Sequence, residues 1–295
     1  MAAAIFAFTD YSEQARRLAS LLDVPSKPVA VHRFPDGESL VRVTDVTPTA
    51  IVYRSLDNPN AKLVELLLAS SALRDNGATR VVLVVPYLAY MRQDMAFEPG
   101  EAVSQKVIGV LLARHFDGVI TIDPHLHRIA NLGEVMPGIP ALSVSAAPVL
   151  SAALDNGSAP VLIGPDSESR QWVEAIAAPL GLDVLVGTKQ RHGDRDVSVT
   201  IEGNNDVRGR TAVLVDDVIS SGETLIQAAR LLREAGASKV EALATHCLAS
   251  EEDLARMRAA GIDRIRSTDS VVGPTGCIQC AHLLADALKS GGFCK

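Results

Sequence analysis

The sequence predicts an α/β protein made of two similar halves, each a mostly parallel sheet flanked by helices. Three observations carry that prediction. Short Val, Ile and Leu runs alternate with longer Ala/Leu-rich stretches of helical character, the pattern of successive βαβ units. Helices that stop at glycine and pass into an apolar run recur: Asn76-Gly77 before Val81, Leu180-Gly181 before Val184, and Gly236 before Val240. Hydrophobic residues make up 47% of the 295 positions but aromatics only 4%, so the core must be Ala, Val, Leu and Ile, which suits tightly packed α/β layers.

Taken in order, the apolar runs expected as strands are Ala3–Phe8, Val29–Arg33, Ala50–Tyr53, Val81–Val85, Gly118–Ile122, Pro160–Gly164, Val184–Val186, Thr211–Val215, Lys239–Thr245 and Arg264–Ser267. The helices expected between them are Ser12–Leu22, Asn60–Asn76, Ser104–His115, Ala146–Asp155, Ser169–Leu180, Thr224–Ala235, Ser250–Ala260 and Cys280–Ser290. Pro140, Pro148 and Asp155-Asn156-Gly157 mark a boundary near 143–157. The expected domains are 1–145 and 146–280, with a last helix, 281–295, able to fold back on the first half.

Composition also excludes. A net charge of −7 argues against a general nucleic-acid binder, and any anionic substrate must then be held by locally placed cations, helix termini or metal. No apolar stretch approaches the length needed to span a bilayer. The start, from Met1 to Asp10, lacks a basic leader and is expected to be a strand, not an export signal. Cys277-x-x-Cys280 with His282 beyond it is half a zinc site, a redox pair, or simply reduced thiols in a cytoplasmic protein.

The most informative segment runs from Thr211 to Leu225. An apolar, β-branched run of the kind buried in a parallel sheet leads to Asp216 and Asp217, expected where the strand ends. Ser220-Ser221-Gly222 then supplies hydroxyls and unhindered N–H groups before a helix expected from Thr224. A small-residue loop at a helix N-terminus cradles an anion, and the adjacent acids can hold sugar hydroxyls or a magnesium-bound ligand. Neither a Walker A loop nor Gly-x-Gly-x-x-Gly is present.

Three earlier segments carry chemistry of their own. Arg33-Phe34-Pro35-Asp36-Gly37-Glu38 follows a strand and reads alone as a Pro-Asp-Gly turn. Arg92-Gln93-Asp94 lies just beyond the apolar run ending at Val85, where open α/β sheets bind ligands. Asp123-Pro124-His125-Leu126-His127 ends another strand; its acid and imidazoles are either a helix-start cap or metal ligands.

In register along almost the whole chain, the Phe-Pro-Asp-Gly-Glu turn, Pro-Tyr-x-x-Tyr-x-Arg-Gln-Asp, Asp-x-His, a Pro-Asp after a strand, Lys-x-Arg and the Asp-Asp segment resemble the ribose-phosphate diphosphokinases (PRPP synthases). The stretch from Asp94 to Ala102 most resembles the archaeal-type branch. The resemblance implies two phosphoribosyltransferase-like domains, nucleotide on the first and ribose 5-phosphate on the second. It implies transfer of the diphosphoryl group of ATP to the anomeric hydroxyl of ribose 5-phosphate, releasing AMP. Phe34, Asp36, Gly37 and Glu38 would reach ATP from a neighbouring subunit of a homo-oligomer (a dimer or multiple of dimers), and Arg92, Gln93 and Asp94 from the home subunit. His125 and Asp166 would help hold Mg2+. Lys189 and Arg191, in a polar loop expected over Thr188 to Asp196, would brace the transferring group. Asp216 and Asp217 would orient ribose hydroxyls, and Ser220, Ser221, Gly222, Glu223 and Thr224 would form the 5-phosphate loop.

Met95, Ala96, Ser167–Ser169 and Glu223 depart from the family pattern, removing positive charge or adding negative charge near the expected phosphates. Glu223 beside a phosphate requires its side chain to turn away. A regulatory paralogue without turnover, or a phosphoribosyltransferase that consumes PRPP, are the alternative readings. The second accounts for the Asp-Asp loop but not for Arg92-Gln93 or the Phe34–Glu38 turn.

Overall fold

The computed structural model describes residues 3–126, 128–129, 131–155, 157, 159–191, 197–201 and 204–294. The chain forms two compact units, Met1–Ser145 with Cys280–Lys295, and Ala146–Gln279.

The first unit runs β1 (Ala3–Phe8), α1 (Ser12–Leu22), β2 (Ser26–Arg33), β3 (Ser39–Arg42), β4 (Thr49–Tyr53), α2 (Pro59–Asp75), β5 (Arg80–Val84), α3 (Ser104–His115), β6 (Gly118–Ile122) and β7 (Ala141–Val144). Its sheet has the order β3-β2-β1-β4-β5-β6-β7, parallel except for the antiparallel β2–β3 hairpin. Every residue of β1, β4 and β6 is buried, because helices cover both faces of a central parallel strand and only an unbroken apolar run satisfies both. Phe6, Phe8, Leu66, Leu73 and Leu83 belong to the core on one side of this sheet. The last helix, α8 (Ala281–Ser290), belongs to this unit too. Beyond it Phe293 is fully buried beneath the Arg80 guanidinium, 5.5 Å from the ring centre, where a Cβ on Gly118 would meet the ring at 2.3 Å.

The second unit repeats the plan: α4 (Ala147–Ala152), β8 (Val161–Gly164), α5 (Arg170–Ala177), β9 (Val184–Arg191), β10 (Val197–Ile201), β11 (Thr211–Ile219), α6 (Glu223–Glu234), β12 (Lys239–Cys247), α7 (Glu251–Ala259), β13 (Arg264–Thr268) and β14 (Gly276–Ile278). Its sheet order, β10-β9-β8-β11-β12-β13-β14, matches that of the first, again with one antiparallel hairpin, β9–β10. The α/β class with two mostly parallel sheets is as the sequence predicts.

Several expectations need correction. The strand expected to end at Val215 continues to Ile219: Val218 and Ile219 are buried, and the parallel register with β12 runs on through Asp216↔Ala244, Val218↔His246 and Ile219↔Cys247. Asp216 and Asp217 therefore sit within the strand. Thr188 to Arg191, expected as loop, extends β9, with Lys189 opposite Val199 and Arg191 opposite Val197; 192–196 lie outside the described residues. The helix expected over Ser169–Leu180 stops at Ala177 and tightens to a 3-10 turn over Ala178–Leu180, where Pro179 cannot donate. α4 covers only Ala147–Ala152. Strands β3, β7, β10 and β14 were not expected; each is the outermost strand of its sheet, where one side of the ladder faces no partner and the apolar signal is weak.

Candidate active site

In the second unit, the sheet reverses its order of addition between β8 and β11. Open α/β sheets bind ligands at the carboxyl end of such a switch point. Gly164-Pro165-Asp166 leaves β8 there, directly beside Asp216 of β11, since Ile163 and Leu214 are paired neighbours. Gly187 permits this approach from the other side, because a Cβ would lie 2.7 Å from the Pro165 carbonyl oxygen. The Asp166 turn is shaped from within: its carboxylate accepts the N–H of Glu168 and of Ser169, both at 3.1 Å, and the Ser169 hydroxyl donates to its carbonyl at 2.6 Å.

Burial first, then the negative charges of Asp217 and Asp166, push the Asp216 carboxyl well above the usual carboxylate range. Asp216 keeps part of its surface open to solvent whereas Asp217 is buried, and the Asp217 N–H donates to Asp216 Oδ1 at 2.9 Å. Three carboxylates in one crevice attract a proton, a hydroxyl donor or a cation.

Beyond Ile219, Ser220 and Ser221 are exposed and Gly222 turns the chain into α6. Gly222 has φ +74° and is the N-cap, offering no side-chain cap, so the first N–H groups of a 12-residue helix have only external partners available. Two conditions demand glycine here. The left-handed φ is one; the other is Met257 of α7, whose Sδ would stand 2.4 Å from an added Cβ. Glu223 meets the condition set for it: its carboxylate turns to Arg256 of α7 at 2.8 Å, and Arg256 also lies 3.6 Å from Asp253. Arg256 and Met257 were not singled out in the sequence, and α7 lies some thirty positions beyond the loop with no motif linking them.

The first unit presents the other predicted residues. Phe34 to Glu38 forms the exposed tip of the β2–β3 hairpin, closed by Phe34 N–H to the Glu38 carbonyl at 2.8 Å and Gly37 N–H to the Phe34 carbonyl at 2.9 Å, with Gly37 at φ +93°. Asp36 accepts the Glu38 N–H at 3.1 Å. Phe34 is 41% exposed and stands edge-on to His32, ring centres 4.7 Å apart. Beyond β5, Arg92 is exposed and Gln93 donates to Glu101 at 3.2 Å. The N–H groups of Phe97 and Glu98 hold the Glu101 carboxyl below its usual range, so this acid shapes the loop. Asp94 is buried and ion-paired with Arg128 at 2.6 Å, tying this loop to the one after β6 that carries His125. Arg128 directly follows the Asp123–His127 segment, and nothing in the sequence marks it as a partner of Asp94. His125 is half-buried, two residues beyond Asp123, whose φ is +34°; His127 lies outside the described residues.

Lys189 and Arg191 occupy β9, next to β8. Among the described residues, no group of three or more His, Cys, Asp or Glu has the arrangement of a preformed metal site, and the four cysteines are free thiols. No described helix is long and apolar enough to cross a membrane.

Two family models match the chain: the N-terminal domain of ribose phosphate pyrophosphokinase over residues 3–115 and the phosphoribosyl transferase domain over 145–287. A ribose-phosphate pyrophosphokinase of Methanopyrus kandleri is 37% identical over 97% of this chain and 98% of its own. That of Methanothermobacter thermautotrophicus is 34% identical over 93% and 96%. The chain belongs to the ribose-phosphate pyrophosphokinase family. The crystal structure of phosphoribosylpyrophosphate synthetase from Mycobacterium smegmatis superposes with a TM-score of 0.85 at 27% identity, covering 99% of both chains. The chain is thus an enzyme of the ribose-phosphate pyrophosphokinase type, a transferase of phosphoribosyl pyrophosphate synthesis, with two phosphoribosyltransferase-like domains.

Proposed function

We propose that the enzyme transfers the β,γ-diphosphoryl group of ATP to the anomeric hydroxyl of ribose 5-phosphate, giving 5-phosphoribosyl 1-diphosphate and AMP. The observation that carries this reading is the crevice of the second unit, where the Asp166, Asp216 and Asp217 carboxylates adjoin the Ser220–Gly222 loop at the uncapped start of α6. Ribose 5-phosphate has matching chemistry: a dianion for the N–H groups and hydroxyls of Ser220 to Thr224, and ring hydroxyls for Asp216 and Asp217.

Phe34, Asp36, Gly37 and Glu38 fit an adenine-binding role for a neighbouring subunit, because the hairpin tip that bears them is solvent-exposed in its own chain. This makes the working enzyme a homo-oligomer, a dimer or a multiple of dimers. Arg92 and Gln93 would contact the nucleotide, with Asp94 positioning their loop through Arg128. Lys189 and Arg191 would meet charge on the transferring group. Such transfers proceed through positioning and charge neutralisation, not covalent chemistry, and the attacking oxygen would be the sugar's own anomeric hydroxyl.

Magnesium fits the donor set. It takes one or two carboxylates plus phosphate oxygens and keeps several waters, so a preformed cage of protein ligands is not required. Asp166, beside the Asp216 pair, is the residue of the second unit that would hold magnesium and His125 that of the first, and the metal would neutralise phosphate charge. We place the reaction in the cytoplasm.

The test is to mix the protein with ATP, magnesium and ribose 5-phosphate and follow AMP. Formation of AMP and 5-phosphoribosyl 1-diphosphate in equal amounts is expected; no AMP above background refutes the reading and favours the regulatory paralogue. Lys189→Ala should lower turnover by at least about a hundredfold, the scale of losing one preorganised charge donor.

A further inference from the structure

The two sheets share one strand order, so each has a switch point: between β8 and β11 in the second unit and between β1 and β4 in the first. At the second lies the proposed sugar-phosphate site. At the first lies an open cavity of about 690 Å³, lined among others by Asp10, Arg33, Arg54, Asn58 and Lys62. Correspondence extends to single residues. Asp10 stands two positions beyond the end of β1 and Asp166 two beyond the end of β8.

Three cations and a helix start meet at the cavity, and each cation also has a carboxylate partner: Arg33 and Arg54 with Glu65, Lys62 with Asp57, and both Arg54 and Lys62 with Asp10. α2, 17 residues long, begins at its wall, and its N-cap Asn58 (φ +51°) gives no side-chain cap, so the first-turn N–H groups are left for another partner. Arg54 and Lys62 are buried beside it. The acids here are largely committed inward. Glu65 is fully enclosed and accepts from Arg33, Arg54 and Ser39; burial pushes its carboxyl up, but those donors outweigh it and hold it below its usual range. Asp57 accepts from the Tyr11 hydroxyl and from Lys62. Arg33 is 60% exposed and engages Glu65 through Nε. Asp10, 35% exposed and within 3.2 Å of both Arg54 and Lys62, is placed to accept a hydroxyl as Asp166 and Asp216 are.

We propose that this crevice is a second binding site, taking a phosphoryl dianion carried by a small polyol or free in solution. The comparison between units rests on the ribose 5-phosphate reading of the second; the lining of the cavity does not.

The experiment is calorimetric titration of the full-length protein, without ATP, against ribose 5-phosphate and separately against inorganic phosphate. Two sites per chain are expected for ribose 5-phosphate. Lys62→Gln and Arg33→Gln should each weaken one of them at least roughly tenfold, the scale of one charge-assisted hydrogen bond, and leave the other unchanged. Arg33, being exposed, guards against a Lys62 variant that fails to fold. Ser221→Glu, on the exposed loop of the second unit, should remove the other site. If inorganic phosphate also binds in a Lys62-dependent way, the phosphoryl group suffices; if only the sugar phosphate does, the polyol is required. A single site unaffected by both Lys62→Gln and Arg33→Gln overturns the proposal. Two sites that both survive Ser221→Glu would instead overturn the loop assignment in the second unit while leaving the crevice standing.

Discussion

Gly222 and Gly209 share a φ of +74° but differ in surroundings, which makes them a matched pair. At Gly209 nothing lies within 4 Å of an added Cβ; at Gly222 the Met257 Sδ would be 2.4 Å away and its Cγ and Cε 2.8 Å. Gly209→Ala should therefore lose only the left-handed penalty, about 1–2 kcal/mol. Gly222→Ala pays that and must also displace Met257, which is fully buried and has little room to move; overpacking of this kind adds about 1–3 kcal/mol. The assay is equilibrium urea denaturation followed by the fluorescence of Trp172, the single tryptophan, which lies in α5 of the same unit. A larger midpoint shift for Gly222→Ala is expected, with the Michaelis constant for ribose 5-phosphate raised in that variant alone. Equal losses at the two positions would show that Met257 does not confine the loop, and the steric argument would fail.

Asp216→Asn should stabilise the ligand-free protein while lowering turnover. The folded carboxyl titrates above its unfolded counterpart, so its favourable contribution is full below the unfolded value and drains away as pH rises through the folded one. The variant's advantage in denaturation midpoint should accordingly widen from acid toward neutral pH; a pH-independent difference would contradict this. Arg256→Ala should raise the Michaelis constant for ribose 5-phosphate by roughly three- to tenfold, because Glu223 then faces the phosphate uncompensated, and Glu223→Thr in the same chain should restore it. Failure of that rescue in steady-state kinetics would separate the pair from the phosphate. Arg128→Met should leave the buried Asp94 carboxylate without its cation; because the Arg128 side chain is itself 56% exposed, the cost should be about 1–3 kcal/mol, that of one buried acceptor left unpaired, and below that of a fully buried pair. The loss should be smaller in Arg128→Met/Asp94→Asn, measured as a double-mutant cycle.

What was legible in the sequence followed from rules that act over a few residues. The unbroken apolar runs of β1, β4 and β6 announced central strands because burial on both faces leaves no polar position. The small-residue turn at Ser220–Gly222 announced a helix start. Where geometry depended on a partner far along the chain, the reading stopped short. β11 outruns Val215 because β12 is equally long and continues to pair with it; Thr188 to Arg191 is strand because β10 comes back alongside. Neither fact is written in the polar residues themselves, which locally favour a loop.

Glu223 shows the same limit at the candidate site, and shows what it means for function. As a residue it looks like damage to a phosphate cradle. In the fold it is one half of an ion pair with Arg256, on a helix that also supplies Met257 beneath Gly222. Such exposed pairs contribute little to stability, about 0–1 kcal/mol, so stability alone gives a weak reason for this one. Charge balance gives a stronger one: Arg256 offsets at short range the negative charge that Glu223 brings to the first turn of α6, and the dipole and free N–H groups of that turn stay available to an anion. The departure and its compensation belong to one arrangement, and a loop that seems poorly suited to phosphate when read along the chain remains suited to it in three dimensions.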